Sequence, residues 1–533
     1  MKPVSLILSA AYVEPELEAE FGRLPPAFLP LGNRRLYVHQ RAAFGSEQGK
    51  IFLSLPEDFE PDASDLDELA RMNIEVVQVP VGLTLGQSLI YVINITAISG
   101  SSLVILHGDT LVQGPDLTMT DAVAVEFDVP PGYHWGYIQE ESGRITLAND
   151  AVEREHRMAL TGFFAFSNAS LLVQSLTRVG GNFLQGLIAY SNHQPMRTVR
   201  SDGWLDFGHA STFHISRQAI TTERKFNSLV ADRRMITKSS EDQIKIEAEA
   251  RWFDRLPPPL RVFTPAYLGM VTDSHRKAYR TEYLHLPTLA DLYVFGRLSR
   301  GAWDRILAGC DEFLSACLPY EDESTDASPA LLYLEKTLQR LEDFARFSGL
   351  SLSEPCRLDG VWLPGLEQIA RRTAESISPV LSEHQTLVHG DFCFSNIFYD
   401  IRSERIRVVD PRGLDARNNI SAYGDRRYDI GKLHHSAVGK YDMIMAGNFT
   451  LNRHGPLNFS LRLPENDMIR SVRGAFLERT FAGLRPQVAC AHPISVLLFL
   501  SMLPLHYDDP KRQTALLANA MRLFLNLDDR VSS

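Results

Sequence analysis

Asp391 stands five residues before Asn396, and Asp410 follows fourteen residues later, at the end of the β-branched stretch from Ile406 to Val409. Residues of these types at this spacing suit phosphoryl transfer. That reaction asks for little covalent chemistry from a protein. It needs a group that orients the attacking hydroxyl and takes its proton, and oxygen ligands for Mg²⁺ ions that bridge the phosphates. A carboxylate at Asp391 meets the first need, and Asn396 with Asp410 meets the second. The five-residue step keeps acid and amide on one loop, while a strand ending at Val409 carries the carboxylate of Asp410 to the same place. A chance loop would also use Asp391 and Asn396 as turn residues, but it has no use for a third polar group delivered by a strand.

A nucleotide needs elements upstream of this loop, and the segment from Phe226 to Leu256 offers them. Lys238 closes the strand-like run Met235-Ile236-Thr237-Lys238, within reach of α- and β-phosphates. The amphipathic stretch Ile244 to Leu256 reads as a helix presenting Glu247 and Glu249. Glu249 is the expected partner of Lys238, because Phe253 and Leu256 follow it at i+4 and i+7 and form a packing stripe beside its face. The alternative for both is a solvated charge on a surface helix.

The N-terminal half has a different pattern. Val4–Ala10, Ile51–Leu55, Ile74–Val79 and Leu103–Leu106 are short apolar runs separated by segments rich in helix formers. That alternation implies parallel strands with crossover helices. Ligands gather beyond the C-terminal ends of such strands, which places Asp109, just past the fourth run, to hold a metal and a phosphate.

With 533 residues the chain is long enough for two or three separate cores. No run of eighteen apolar residues offers a membrane span, and Val4–Ala10 is too short for a signal peptide. A formal net charge of −11 argues against a nucleic-acid backbone as the main partner. Cys310, Cys317, Cys356, Cys393 and Cys490 are odd in number and lack metal-ligand spacing, so reduced thiols and a cytoplasmic location are expected. The remainder from about Ala437 onward reads as helical, with Ile494 to Leu503 a buried helix.

The string HGDFCFSNIFYD at 389–400, followed by VVDPRG at 408–413, resembles the aminoglycoside phosphotransferase and choline kinase family of small-molecule kinases. The resemblance implies a bilobal, protein-kinase-like α+β domain over 216–533, with a first lobe over about 216–285 and a second over about 286–533. It implies ATP and Mg²⁺ as cofactors and a small-molecule acceptor. His389 and Asp391 belong to its catalytic loop, and Asp429, within Gly424–Leu433, matches a second Asp that steadies that loop. Thr281–Leu284 resembles the hinge that holds the adenine. If the acceptor were of choline type it would want an aromatic and acidic cage, for which Trp252, Trp303 and Trp362 are candidates.

The first 215 residues are similar to sugar-nucleotide pyrophosphorylases and related nucleotidyltransferases. LVILHGDTLV at 103–112 looks like the family's metal-binding strand end, and Gly203–His209 resembles its late motif, in which Asp206 joins Asp109 at the metal. His209 is expected to hydrogen-bond near Asp206. The fold class is therefore α/β: an N-terminal mixed sheet flanked by helices, joined to the kinase-like domain. Two departures stand at the start. Ser9–Pro15 replaces the Gly-rich loop that cradles a triphosphate, and Pro26-Ala27 stands where a Pro-Lys pair is expected. Arg23, Arg34 and Arg35 are possible replacements for the lost cation. The resemblances imply a fusion in which a kinase phosphorylates a sugar or amino alcohol and a nucleotidyltransferase joins the product to CTP, UTP, GTP or dTTP, for surface glycan synthesis. The alternative is a kinase whose degenerate N-terminal domain only binds or regulates.

Overall fold

The computed structural model describes residues 3–45, 49–112, 119–129, 133, 135–148, 158–201, 203–220, 227–273, 276–321, 330–379 and 385–528. Phe226, the first residue of the expected nucleotide-binding segment, lies outside them. The chain is of mixed α/β type and forms two compact units, Met1–Thr221 and Thr222–Ser533.

In the first unit, Val4–Leu8 is the central strand, paired in parallel with Ile51–Pro56 on one side and Leu103–His107 on the other. Ile74–Val79 extends the sheet in parallel beyond Ile51–Pro56. The chain thus builds outward from the first strand and then crosses back to its other side. The crevice of this switch point opens where Leu8 and His107 end. Met158–Phe166 then runs antiparallel against Leu103–His107, which makes the sheet mixed. Val4–Leu8, Ile51–Pro56 and Leu103–His107 are buried on both faces, while the edge strand Ile74–Val79 exposes Glu75 and Gln78. Leu6, Leu8, Ile105, Phe164 and Phe166 enter one core with Leu89, Val92 and Leu176 from the covering helices.

The second unit begins with an antiparallel sheet in the order Asn227–Ala231, Met235–Ser240, Arg276–Glu282, Tyr267–Asp273. The helix Gln243–Arg255 starts at Asp242, whose side chain accepts from the N–H of Lys245, and buries Ile246, Glu249, Trp252 and Phe253. The rest of this unit is largely helical around a core formed by Leu341, Leu366, Ile369, Phe499 and Met521 among others. The helix Ala491–Ser501 is buried at every residue, as an uninterrupted apolar run requires. The expectation of helix throughout from Ala437 fails at Thr450–Gly455 and Asn458–Arg462, which form an antiparallel hairpin. Leu457, Phe459 and Leu461 alternate into the core there, and this period-two signal is easily lost among flanking helices. No helix among the described residues is long and apolar enough to cross a membrane.

Candidate active site

The loop from His389 to Asn396 lies between the strand Gln385–Leu387 and the hairpin of Ile397–Asp400 with Arg405–Val408. Asn396 donates from Nδ2 to the backbone oxygen of Asp391 at 2.9 Å and to its Oδ2 at 3.0 Å. The other carboxylate oxygen of Asp391 lies 2.8 Å from Nζ of Lys432. Asp429 is fully buried and accepts from the N–H groups of His389 and Gly390, both at 2.8 Å. Burial pushes its carboxyl up to about 7, and the two backbone donors oppose that shift.

His389 is buried and held at both ring nitrogens. Nδ1 accepts from the N–H of Asp391 at 3.2 Å, so Nε2 carries the proton and donates to the carbonyl of Val409 at 2.9 Å. Burial lowers its pKa to about 4, which keeps the ring neutral. This histidine ties the loop bearing Asp391 to the strand that leads to Asp410.

Asp410 adopts a left-handed backbone with φ of +58°, rare for a side chain other than glycine and worth roughly 1–3 kcal/mol of strain. Its Oδ1 accepts from Nζ of Lys238 at 2.9 Å, and the same ammonium donates to Oε2 of Glu249 at 2.8 Å. Tyr279 adds a donor to Glu249 at 2.9 Å. Burial would lower the Lys238 pKa, but Asp410 and Glu249 outweigh it and hold the ammonium charged. Burial would likewise raise Asp410, and Lys238 keeps it below the ordinary carboxylate range. The other glutamate, Glu247, is instead half-buried and paired with Lys277 and Arg251. The chain just beyond Asp410 touches the helix that carries Glu249. Gly413 has φ of +61°, and a Cβ there would meet the carbonyl oxygen of Ala248 at 2.3 Å. Trp252, on that helix, donates from Nε1 to Val388 at 2.9 Å.

Asp391, Asn396, Asp410, Lys238, Glu249, His389 and Asp429 therefore belong to one connected network. Lys432 was missed by the sequence reading, although it sits three residues after Asp429 on the helix Arg426–Ala437 and so on a neighbouring face. In the hinge candidate, Glu282 and Tyr283 give their N–H groups to Ala266 and Arg234, so neither is open to an adenine edge. Nor do the tryptophans form a cage. Trp252 and Trp303 are packed in the core, and Trp362 is an exposed residue beside Arg357.

The first unit has its own cavity, of about 520 Å³, at the switch-point crevice. Asp109 and Asp206 converge on it. A Cβ built on Gly208 would lie 3.0 Å from Oδ2 of Asp109 and 3.5 Å from Oδ1 of Asp206. Burial, and then the charge of Asp109, raises the Asp206 carboxyl to about 6, and its Oδ2 is buried without a hydrogen-bond partner among the described residues. Trp135 and Trp204 meet edge to face at 5.3 Å, and His209 stacks on Tyr133 at 4.1 Å. His209 Nδ1 lies 2.7 Å from Glu14, so its partner is that carboxylate. No Lys or Arg lines the cavity among the described residues. Arg23 pairs with Asp58, Arg34 with Glu68, and buried Arg35 with Asp65. Where a Gly-rich loop and a Pro-Lys pair were expected, Ser9 accepts instead from the N–H of Ala27 at 3.0 Å.

No protein-family model and no curated protein matches this sequence. Solved structures that resemble it include an aminoglycoside-3'-phosphotransferase of type VIII, at 12% identity over 58% of this chain and 99% of that one, with a TM-score of 0.28. A glucosamine kinase in complex with glucosamine, ADP and inorganic phosphate resembles it at 15% identity, over 60% of this chain and 86% of that one, with a TM-score of 0.33. A 4-diphosphocytidyl-2C-methyl-D-erythritol synthase does so at 12% identity, over 41% of this chain and 98% of that one, with a TM-score of 0.28. At such values, function has to come from the side chains themselves.

Proposed function

We propose that the part of the chain from about residue 216 onward is an ATP-dependent phosphotransferase acting on a hydroxyl of a small molecule. The observation that carries this reading is the position of Lys238, whose ammonium joins Glu249 on a helix to Asp410 beside the Asp391–Asn396 loop. Asp391 would orient the acceptor hydroxyl and take its proton. Its two oxygens already meet Asn396 and Lys432, which fixes its direction. Orientation of this kind suits a reaction in which positioning matters more than covalent chemistry. His389 and Asp429 act as positioning residues, since neither has an atom left for the reactants. Lys238 would exchange Asp410 for phosphate oxygens of the nucleotide while Glu249 keeps it in place.

Asp410 is partly open, and Asn396, having spent its amide hydrogens on Asp391, has a carbonyl oxygen to offer, so this pair fits Mg²⁺, which takes few protein ligands and completes its shell with phosphate and water. When bound, the ion would neutralise phosphate charge. The test is nucleotide binding by the full chain with Mg²⁺ present. Asp410→Ala should abolish it, and Asn396→Ala should weaken it less, because a carboxylate contributes more charge than an amide. Equal affinity in wild type and Asp410→Ala would remove Asp410 from this role.

For residues 1–215 the nucleotidyltransferase reading has Asp109 and Asp206 as its metal ligands. The unpartnered Oδ2 of Asp206 supports a cation there. The lack of any basic side chain around the cavity among the described residues favours the second reading, a domain that binds a nucleotide or sugar phosphate without turnover, because transition-state charge on phosphates would lose its donors. Pyrophosphate release from CTP, UTP, GTP or dTTP with a phosphorylated acceptor, abolished by Asp109→Ala, would restore the first reading. A role in surface glycan synthesis stands or falls with that activity.

A further inference from the structure

The helix Arg426–Ala437 meets the loop 389–396 through three residues spaced i, i+3 and i+7, on one face. Asp429 accepts from the N–H groups of His389 and Gly390, both at 2.8 Å, and Ser436 accepts from the N–H of Phe394 at 3.1 Å. The main chain is thus fixed on either side of Asp391. Lys432, between these two, holds no main chain. Its Nζ lies 2.8 Å from Oδ1 of Asp391, the side chain proposed to meet the hydroxyl.

Only 12% of the Lys432 side chain meets solvent, and Asp391 is its one bonded partner among the described residues. Burial works against the charge, but Asp391 outweighs it and raises the pKa, so the group is an ammonium. An ammonium has three N–H donors, and two of them remain for other acceptors. Asn396 meets Asp391 from the opposite side, at Oδ2. Lys238 and the Mg²⁺ proposed at Asn396 and Asp410 belong to that side, so a phosphoryl group passing to a hydroxyl held by Asp391 comes between them and Lys432. Once Asp391 has taken the hydroxyl proton, its charge is gone. The ammonium beside it then has the phosphoryl oxygens as its anionic partner, at the moment when charge on them has to be stabilised.

We infer that Lys432 is a catalytic residue, donating to an oxygen of the γ-phosphoryl group in the nucleotide complex and as that group passes to the hydroxyl held by Asp391. This rests on the phosphotransferase reading. In the step, the acceptor oxygen forms a bond to the γ-phosphorus and the bond from that phosphorus to the β–γ bridging oxygen breaks. Asp391 takes the hydroxyl proton, ADP leaves with the electron pair, and Lys432 keeps its own proton throughout.

The test compares ADP with a non-hydrolysable ATP analogue, whose binding to the full chain with Mg²⁺ is measured by calorimetry. Lys432→Met should weaken the analogue roughly ten- to hundredfold, the range expected for a charge-assisted hydrogen bond, and leave ADP affinity unchanged. Lys432→Arg should keep most of the wild-type preference for the analogue. Lys432→Gln can still donate to Asp391 but carries no charge, so it should behave as Lys432→Met does, and it replaces that variant if the methionine chain does not fold. Equal losses for ADP and the analogue, or no loss for either, would show that Lys432 only braces Asp391. Full recovery in Lys432→Gln would show the same, because hydrogen bonding and not charge would then be the cause. Each of these results would overturn the inference and leave the phosphotransferase standing. A wild-type chain that binds neither nucleotide would instead remove the reading beneath it.

Discussion

The two candidate sites of this chain, proposed for similar ligands, have opposite equipment. The site around Asp391 has Lys238, Lys432 and Arg412 among its carboxylates, and most of its polar atoms are tied to named partners. The cavity around Asp109 and Asp206 has carboxylates and aromatic rings, no basic side chain among its described lining, and a buried carboxylate oxygen without a partner. Phosphates can be held by protein cations or by a metal bridging to protein carboxylates. The first site has the means for both, the second only for the metal. On the proposed reading a sheet with a suitable crevice is thus not enough for turnover, and the charges placed at its mouth decide what it can do.

This contrast can be tested through stability as well as activity. Lys238→Met would leave Glu249 and Asp410 facing one another without their shared cation, and should cost roughly 3–5 kcal/mol, as breaking buried ion pairs does. Chemical unfolding would measure it, and adding Glu249→Gln should recover part of the loss. A mutant as stable as wild type would mean that Lys238 is not the centre of this network.

His389 predicts a pH dependence. Its folded pKa is lowered from 6.5 to about 4, so below pH 6.5 the unfolded state gains a proton that the folded state refuses. Its contribution to stability is therefore complete above pH 6.5 and is lost as the pH falls towards 4, by on the order of 3 kcal/mol. His389→Gln should flatten that part of the profile. An unchanged slope would contradict the neutral, doubly bonded ring.

The sign reverses at Asp206. Its folded pKa is raised from 3.8 to about 6, so it costs nothing below pH 3.8, and its cost grows to a plateau above pH 6. Asp206→Asn should thus stabilise the protein by roughly 2–3 kcal/mol at pH 7–8 in the absence of divalent ions. Mg²⁺ or Mn²⁺ should raise the melting temperature of wild type and not that of the mutant. A mutant less stable than wild type without metal would show that Asp206 is satisfied by the protein alone.

Much of the fold was legible because its signals are local. The four parallel strands of the first unit are apolar runs, and Asp391, Asn396 and Asp410 lie within twenty residues of one another. Glu249 could be chosen over Glu247 because a packing stripe lies beside it. The pairing of Lys432 with Asp391 was not legible, since the two are far apart in sequence and meet only when the helix Arg426–Ala437 packs beside the loop. The same holds for Trp135 and Trp204, which meet only at the cavity. The hairpin Thr450–Arg462 was hidden for a different reason. Its alternation is short, and a pattern of a few residues cannot outweigh the helical periods around it.

The central claim is that Asp391 serves as the base of a phosphotransferase, and transfer of labelled γ-phosphate from MgATP to a small-molecule hydroxyl tests it most directly. With an acceptor identified for wild type, Asp391→Asn should lower transfer by about two to four orders of magnitude, as loss of a general base does, while MgATP affinity and stability remain near those of wild type. Transfer at the wild-type rate by Asp391→Asn would contradict the account.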